Sequence, residues 1–183
     1  MSPRLFDEWR SGRRNRRAVA TYIAALMTEP SADDVAWLAA AACDGDLDRA
    51  RWELRYARRA LGLVVAQRDS LDDRTPSLVA RELADAVQSD RNVAPAMLRI
   101  AERQFNDRLT SYRDVLISRS TQSPSARLGR TLLQIAGTSF PQEDLVVRGG
   151  EVLSGYVAEA NDALRAAFGA PTLLTDRPPA PSA

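Results

Sequence analysis

The stretch Leu47-Asp48-Arg49-Ala50-Arg51-Trp52-Glu53-Leu54-Arg55-Tyr56-Ala57-Arg58-Arg59-Ala60-Leu61-Gly62-Leu63-Val64 carries its apolar residues at Leu47, Ala50, Leu54, Ala57, Leu61 and Val64. Steps of three and four place them on one side of an α-helix of about six turns, the pattern of a helix that faces a core. Arg49, Arg51, Arg55, Arg58 and Arg59 fall mostly off that stripe, while Trp52, Tyr56 and Leu63 form a second, mixed face. Asp44-Gly45-Asp46 marks the start, since an aspartate there accepts hydrogen bonds from first-turn amides that have no partner within the helix.

The same reading extends in both directions. Ser31 is an N-cap for a short helix, with Asp33 and Asp34 in its first turn. Thr75-Pro76 and Ser123-Pro124 are cap-then-proline starts, and Pro95 opens a helix whose apolar face holds Leu98, Ala101, Phe105, Leu109, Tyr112 and Leu116. Pro141 with Glu143 and Asp144 begins the last helix, which Gly169 ends, and Gly137 closes the one before it. These signals predict helices over 3–27, 32–43, 47–70, 76–88, 95–119, 124–136 and 141–168. No stretch of alternating polarity stands out. The fold class is therefore all-α: a single-domain antiparallel bundle of about six to seven helices over 1–169, its neighbours joined by short connections. Residues 170–183 are rich in proline and poor in apolar mass, and are expected to be disordered.

Composition narrows the function. The 183 residues hold 25 arginines, no lysine and no histidine, against 24 acids. Without imidazole there is no Ser-His or Cys-His nucleophile pair and no histidine metal ligand; without a primary amine there is no Schiff-base or phosphate-loop lysine. Arginine in place of lysine, with many alanines, fits a GC-rich codon bias. The near-cancelling charges create no overall field toward nucleic acid or an anionic membrane. The single Cys43 sits in an apolar run and reads as a small buried hydrophobe. The longest apolar runs are about half of what spans a bilayer, so no transmembrane segment is expected. Arg13-Arg14 and Arg16-Arg17 before an apolar run imitate a twin-arginine export signal. Asp7, Glu8 and the lack of a small-residue cleavage site argue for a helix and a cytoplasmic location instead.

Candidate chemical motifs do not close. Asp44-Gly45-Asp46-Leu47-Asp48 opens like a calcium loop, but Arg49 stands where that loop needs glycine and Arg55 where it needs glutamate. A capped turn is the better reading. Glu53, Glu82, Glu102, Glu151 and Glu159 are scattered over separate helices, and nothing in their spacing makes a catalytic carboxylate pair. Gly149-Gly150 lies within helical periodicity and reads as a close helix crossing or a kink. No catalytic, cofactor or metal-binding residue is assigned, and no cofactor is expected.

Interaction signals are stronger. Arg4, Arg10, Arg13, Arg14, Arg16 and Arg17 are interleaved with Leu5, Phe6 and Trp9. That run reads first as a solvated helix end whose aromatic residues dock on its own bundle; as an interaction arm it suits a protein partner first, and nucleic acid or an acidic membrane surface second. The candidate partner-binding residues are Phe6, Trp9, Arg13, Arg14, Arg16, Arg17, Trp52 and Tyr56, because aromatic side chains beside arginine make good interface anchors. Core packing is the competing reading for Trp52 and Tyr56.

Phe105-Asn106-Asp107-Arg108-Leu109-Thr110-Ser111-Tyr112-Arg113-Asp114-Val115-Leu116 resembles a stretch of the ubiquinol-cytochrome c chaperone family, with Phe, Arg, Ser-Tyr and Leu at similar spacing. Leu78 to Val87 is similar to the helix preceding it there. The chain departs from that family between the two segments, where Ser89-Asp90-Arg91-Asn92-Val93-Ala94 replaces a lysine-rich, glycine-containing connection. The resemblance implies an all-helical, non-enzymatic assembly factor that holds a partner polypeptide while a respiratory complex is built.

The expectation is a non-enzymatic helical subunit that docks another polypeptide or a second copy of itself. A nucleic-acid or membrane-surface binder and a carboxylate- or metal-dependent enzyme are the alternatives.

Overall fold

The computed structural model describes residues 3–70, 72 and 74–169, with side chains described from Asn15 onward. Seven α-helices follow in order: α1 Pro3–Leu26, α2 Ala32–Ala42, α3 Leu47–Asp69, α4 Arg74–Gln88, α5 Leu98–Ile117, α6 Pro124–Ala136 and α7 Glu143–Phe168. Pro95–Met97 forms a 3-10 turn that leads into α5, and no strand occurs among the described residues. The all-α expectation holds.

Local chemistry explains the helix starts. Ser31 Oγ accepts from the amide of Asp34 at 3.0 Å, Asp46 Oδ1 from that of Arg49 at 2.9 Å, and Ser123 Oγ from that of Ala126 at 3.2 Å. Three starts differ from the expectation, that of α5 among them, since Pro95–Met97 forms a 3-10 turn and the α-helix begins at Leu98. Asp72, rather than Thr75, caps α4: its Oδ1 accepts from the amides of Arg74 and Thr75 at 2.8 and 2.7 Å, which frees Thr75 to be buried inside the first turn. These bonds, with that from the Thr75 amide foremost, hold the Asp72 carboxyl below its usual value. Pro141 lies outside α7, which begins at Glu143 after Gln142.

α3 is the axle of the bundle, packed against every other α-helix. Its buried positions join two core regions. One is built by α2, α5, α6 and the first part of α7 around Leu54, Ala57 and Leu61. The other is built by α1, α4 and the last part of α7 around Leu63, Val65 and Ala66. The stripe begins at Ala50, because Leu47 in the first turn is half-exposed. Leu63, expected on the mixed face, is buried.

α4 and α5 do not pack as antiparallel neighbours. Both lie on α3, and an apolar groove of about 280 Å³, floored by Leu63 and walled by Leu83, Val87, Phe105 and Leu109, runs between them. α6 and α7 approach closest. A Cβ placed on Gly129 would lie 2.1 Å from the carbonyl oxygen of Val146 and 2.5 Å from the amide of Gly150, so only glycine fits that crossing. The pair Gly149-Gly150 thus serves the close helix approach.

Candidate functional site

A wide cleft among the described residues lies where the first half of α3 meets the connection before α5. It has a volume of about 590 Å³ and lies open to solvent. Arg49, Trp52, Glu53 and Tyr56 come from α3, Asn92, Val93 and Ala94 from the connection, and Met97, Ile100, Gln104 and Arg108 from the 3-10 turn and α5. The α3 residues recur at steps of three and four, so one helix face supplies a whole wall.

Trp52 is held in place from two sides. The Arg55 guanidinium lies 4.5 Å from the centre of its ring, a cation–π contact. Arg55 is itself tied to Glu29, its Nε donating to Oε2 at 2.9 Å. Tyr56 packs tilted against Trp52 with ring centres 5.7 Å apart, and its hydroxyl donates to Gln104 Oε1 at 3.2 Å. Burial, aided by the charge of Glu53, raises the Tyr56 hydroxyl above its ordinary pKa, so it stays a neutral donor.

Two ion pairs brace the cleft. On its floor Arg108 grips Glu53 with both forks, Nε to Oε2 at 3.0 Å and Nη2 to Oε1 at 2.5 Å. This bidentate geometry uses both carboxylate oxygens. Behind the wall, Arg59 Nη2 donates to Asp90 Oδ2 at 2.9 Å, with the two side chains only 3% and 5% exposed. Asp90 Oδ1 accepts from the amide and the side-chain nitrogen of Asn92 at 3.0 and 2.9 Å. Burial opposes the Asp90 charge, but the bonds from Asn92 and Arg59 outweigh it and hold the carboxyl below its usual range. One aspartate therefore knots the 89–94 connection to α3.

Tyr112 of α5 is fully buried, and its hydroxyl has no partner among the described residues. Burial, first, and Glu53, second, push its pKa well up. Across the bundle, Arg58 lies 4.2 Å from the ring centre of Tyr156, whose hydroxyl burial pushes up to about 12.

The sequence-derived residues divide cleanly. Trp52 and Tyr56 stand together in the cleft, Trp52 half-buried and Tyr56 buried. Arg16 and Arg17 are exposed on α1. Phe6, Trp9, Arg13 and Arg14 lie outside the residues whose side chains are described, and the tail 170–183 lies outside the described residues altogether. Arg55 and Arg59, expected off the apolar stripe, are buried instead, each against a carboxylate from another element. Sequence reasoning missed Met97, Ile100, Gln104 and Arg108 as cleft residues. Periodicity placed Arg108 on α5 but could not pair it with Glu53, 55 positions away.

The glutamates do not converge. Glu53 holds Arg108, Glu102 accepts from Gln88, Glu151 lies beside Arg148, and Glu159 pairs with Arg58. Asp44 to Asp48 form the expected capped turn, with Asp44 at φ +52° and Gly45 at +83°. No group of three or more acidic or cysteine side chains is placed to hold a metal ion among the described residues. Cys43 is buried, and burial raises its thiol pKa. No described helix is long and apolar enough to cross a membrane. Comparison of the chain with protein-family models, with curated proteins and with solved structures finds no match.

Proposed function

We propose that this protein is a non-enzymatic docking subunit that holds another polypeptide in the cleft between α3 and α5. The observation that carries the reading is the apolar lip: Met97 and Ile100 are 49% and 47% exposed and stand across from a braced Trp52. Large apolar side chains left in solvent beside a fixed aromatic anchor are what a partner covers at the centre of an interface. The bracing by Arg55, Glu29 and Tyr56 lowers the ordering cost of association. An assembly role of the kind implied by the resemblance of residues 105–116 would need such a surface.

A photoreactive phenylalanine analogue at position 100 tests this in the native cell. The expected result is one dominant crosslinked polypeptide that disappears when Trp52→Ala is added. Crosslinks that are absent, or that ignore Trp52, overturn the reading.

A further inference from the structure

The apolar groove between α4 and α5 stands open among the described residues, and the chain itself carries a segment that fits it. We propose that residues 170–177, which follow α7, lie in that groove as an extended strap, with Leu173 and Leu174 against Leu83 and Leu109 and with Arg177 beside Glu102.

Reach permits it. α7 ends at Gly169, which lines a pocket together with Asp69 at the end of α3 and Thr75 at the start of α4. The near end of the groove is close by. Leu63 on its floor is roughly 9 Å back along α3 from Asp69, and Ala80 on its wall is about 8 Å along α4 from Thr75. An extended chain covers roughly 17 Å between Gly169 and Leu174. Leu173-Leu174 is the one adjacent pair of large apolar residues in 170–183, and the proline-rich sequence around it is too poor in apolar mass to fold alone. Such a segment orders only against a surface that already exists, and Leu83, Phe105 and Leu109 supply one.

Charge sets the register. Gln88 Nε2 donates to Glu102 Oε1 at 3.0 Å, which fixes the end of α4 beside the start of α5 and turns Ala80 toward the Leu109 end. Glu102 is the one charged side chain lining the groove among the described residues; it is half-buried and in no ion pair there. Arg81, Glu82, Asp85, Arg103, Asp107 and Arg108 occupy the same stretches of α4 and α5 but do not line it. From Leu109 back to Glu102 is about 10 Å of helix. From Leu174 to Arg177 is about 9 Å of polyproline conformation, whose three-residue turn also sets both on one face. A strap seated with Leu174 at the Leu109 end therefore brings the Arg177 guanidinium to the Glu102 carboxylate. It joins α4 to α5, which otherwise rest separately on α3.

The test uses the full chain with Cys43→Ala, so that only introduced thiols react. Thr175→Cys is combined either with Ala84→Cys in the groove or with Arg81→Cys, exposed on α4 but outside the groove, and disulfide formation is followed by mass spectrometry. The pair with position 84 is expected to close at least about tenfold faster, because docking raises the effective concentration of one thiol at the other. Leu174→Asp is expected to remove that margin with the helical circular dichroism unchanged. Glu102→Arg is expected to cut it about threefold, and adding Arg177→Glu to restore it. Equal rates at positions 84 and 81 would overturn the strap. A disulfide that joins two molecules, faster at higher protein concentration, would overturn it in favour of the same segment from a second copy. Failure of Arg177→Glu to rescue Glu102→Arg would overturn the register.

Discussion

The two halves of α3 are buried by different means. From Ala60 to Ala66 the helix is apolar all round, and Leu61, Gly62, Leu63, Val64, Val65 and Ala66 are all buried against α1, α4, α5 and α7. From Ala50 to Arg59 it buries Glu53, Arg55 and Arg59 beside Leu54 and Ala57. The apolar half needs only surfaces of the right shape, because the hydrophobic effect is non-directional. The charged half needs particular partners, Glu29, Asp90 and Arg108, each delivered by a different element and held at hydrogen-bond distance. The cleft sits against the charged half. Trp52 on its wall is held in position by the Arg55–Glu29 ion pair rather than by core packing alone.

Breaking one member of the buried pair should give the largest effect. Arg59→Met strands the Asp90 carboxylate and is expected to cost about 3–5 kcal/mol, read by urea denaturation. Adding Asp90→Asn should restore most of that loss, since a buried pair matched by neutral residues is near neutral. Arg59 Nη1 is buried and has no hydrogen-bond partner among the described residues, which removes one reason for the pair to outperform its replacement.

In the apolar half, Leu61→Ala is expected to cost about 2–5 kcal/mol through lost burial and a residual cavity, whereas Leu61→Met should cost less than about 1.5. No such conservative swap should exist for Arg59. If Arg59→Lys were as harmless as Leu61→Met, the distinction between the halves would fail.

Acid should separate the halves as well. The folded Asp90 carboxyl lies below its unfolded-chain value of about 4, so its contribution is complete above that value and disappears as pH falls through the lower folded one. Between about pH 5 and pH 2 the unmodified protein should lose more stability than Asp90→Asn does. Equal pH slopes in the two proteins would show that Asp90 carries no such linkage. The smallest effect belongs to the helix start that both halves share: Asp46→Ala, removing the cap on the Arg49 amide, should cost about 1 kcal/mol in thermal denaturation.

The same division decides what could be read from residues alone. Helical spacing and caps at Ser31, Asp46 and Ser123 placed all seven helices to within a few residues, because these signals are local. Trp52 and Tyr56 were legible as a pair for the same reason, being four apart on one helix. What could not be read was long-range. Arg59 carries no mark that separates it from exposed Arg51; only the fold brings Asp90 to one of them and leaves the other in solvent. Met97 and Ile100 lie off the apolar face of α5 that spacing marks, so periodicity gave no reason to single them out beside the cleft. The α4–α5 separation was hidden likewise, since a short connection reports proximity of ends and not contact of faces.

The glycine crossing of α6 and α7 has a kinetic side. These two helices are consecutive, their connection is short, and their backbones touch without intervening side chains. Closing that hairpin costs little chain entropy compared with bringing α1 onto α7, so it is the natural first piece to assemble during refolding. Widening the crossing with Gly129→Ala should therefore slow refolding more than it hastens unfolding, an asymmetry that stopped-flow measurements would expose.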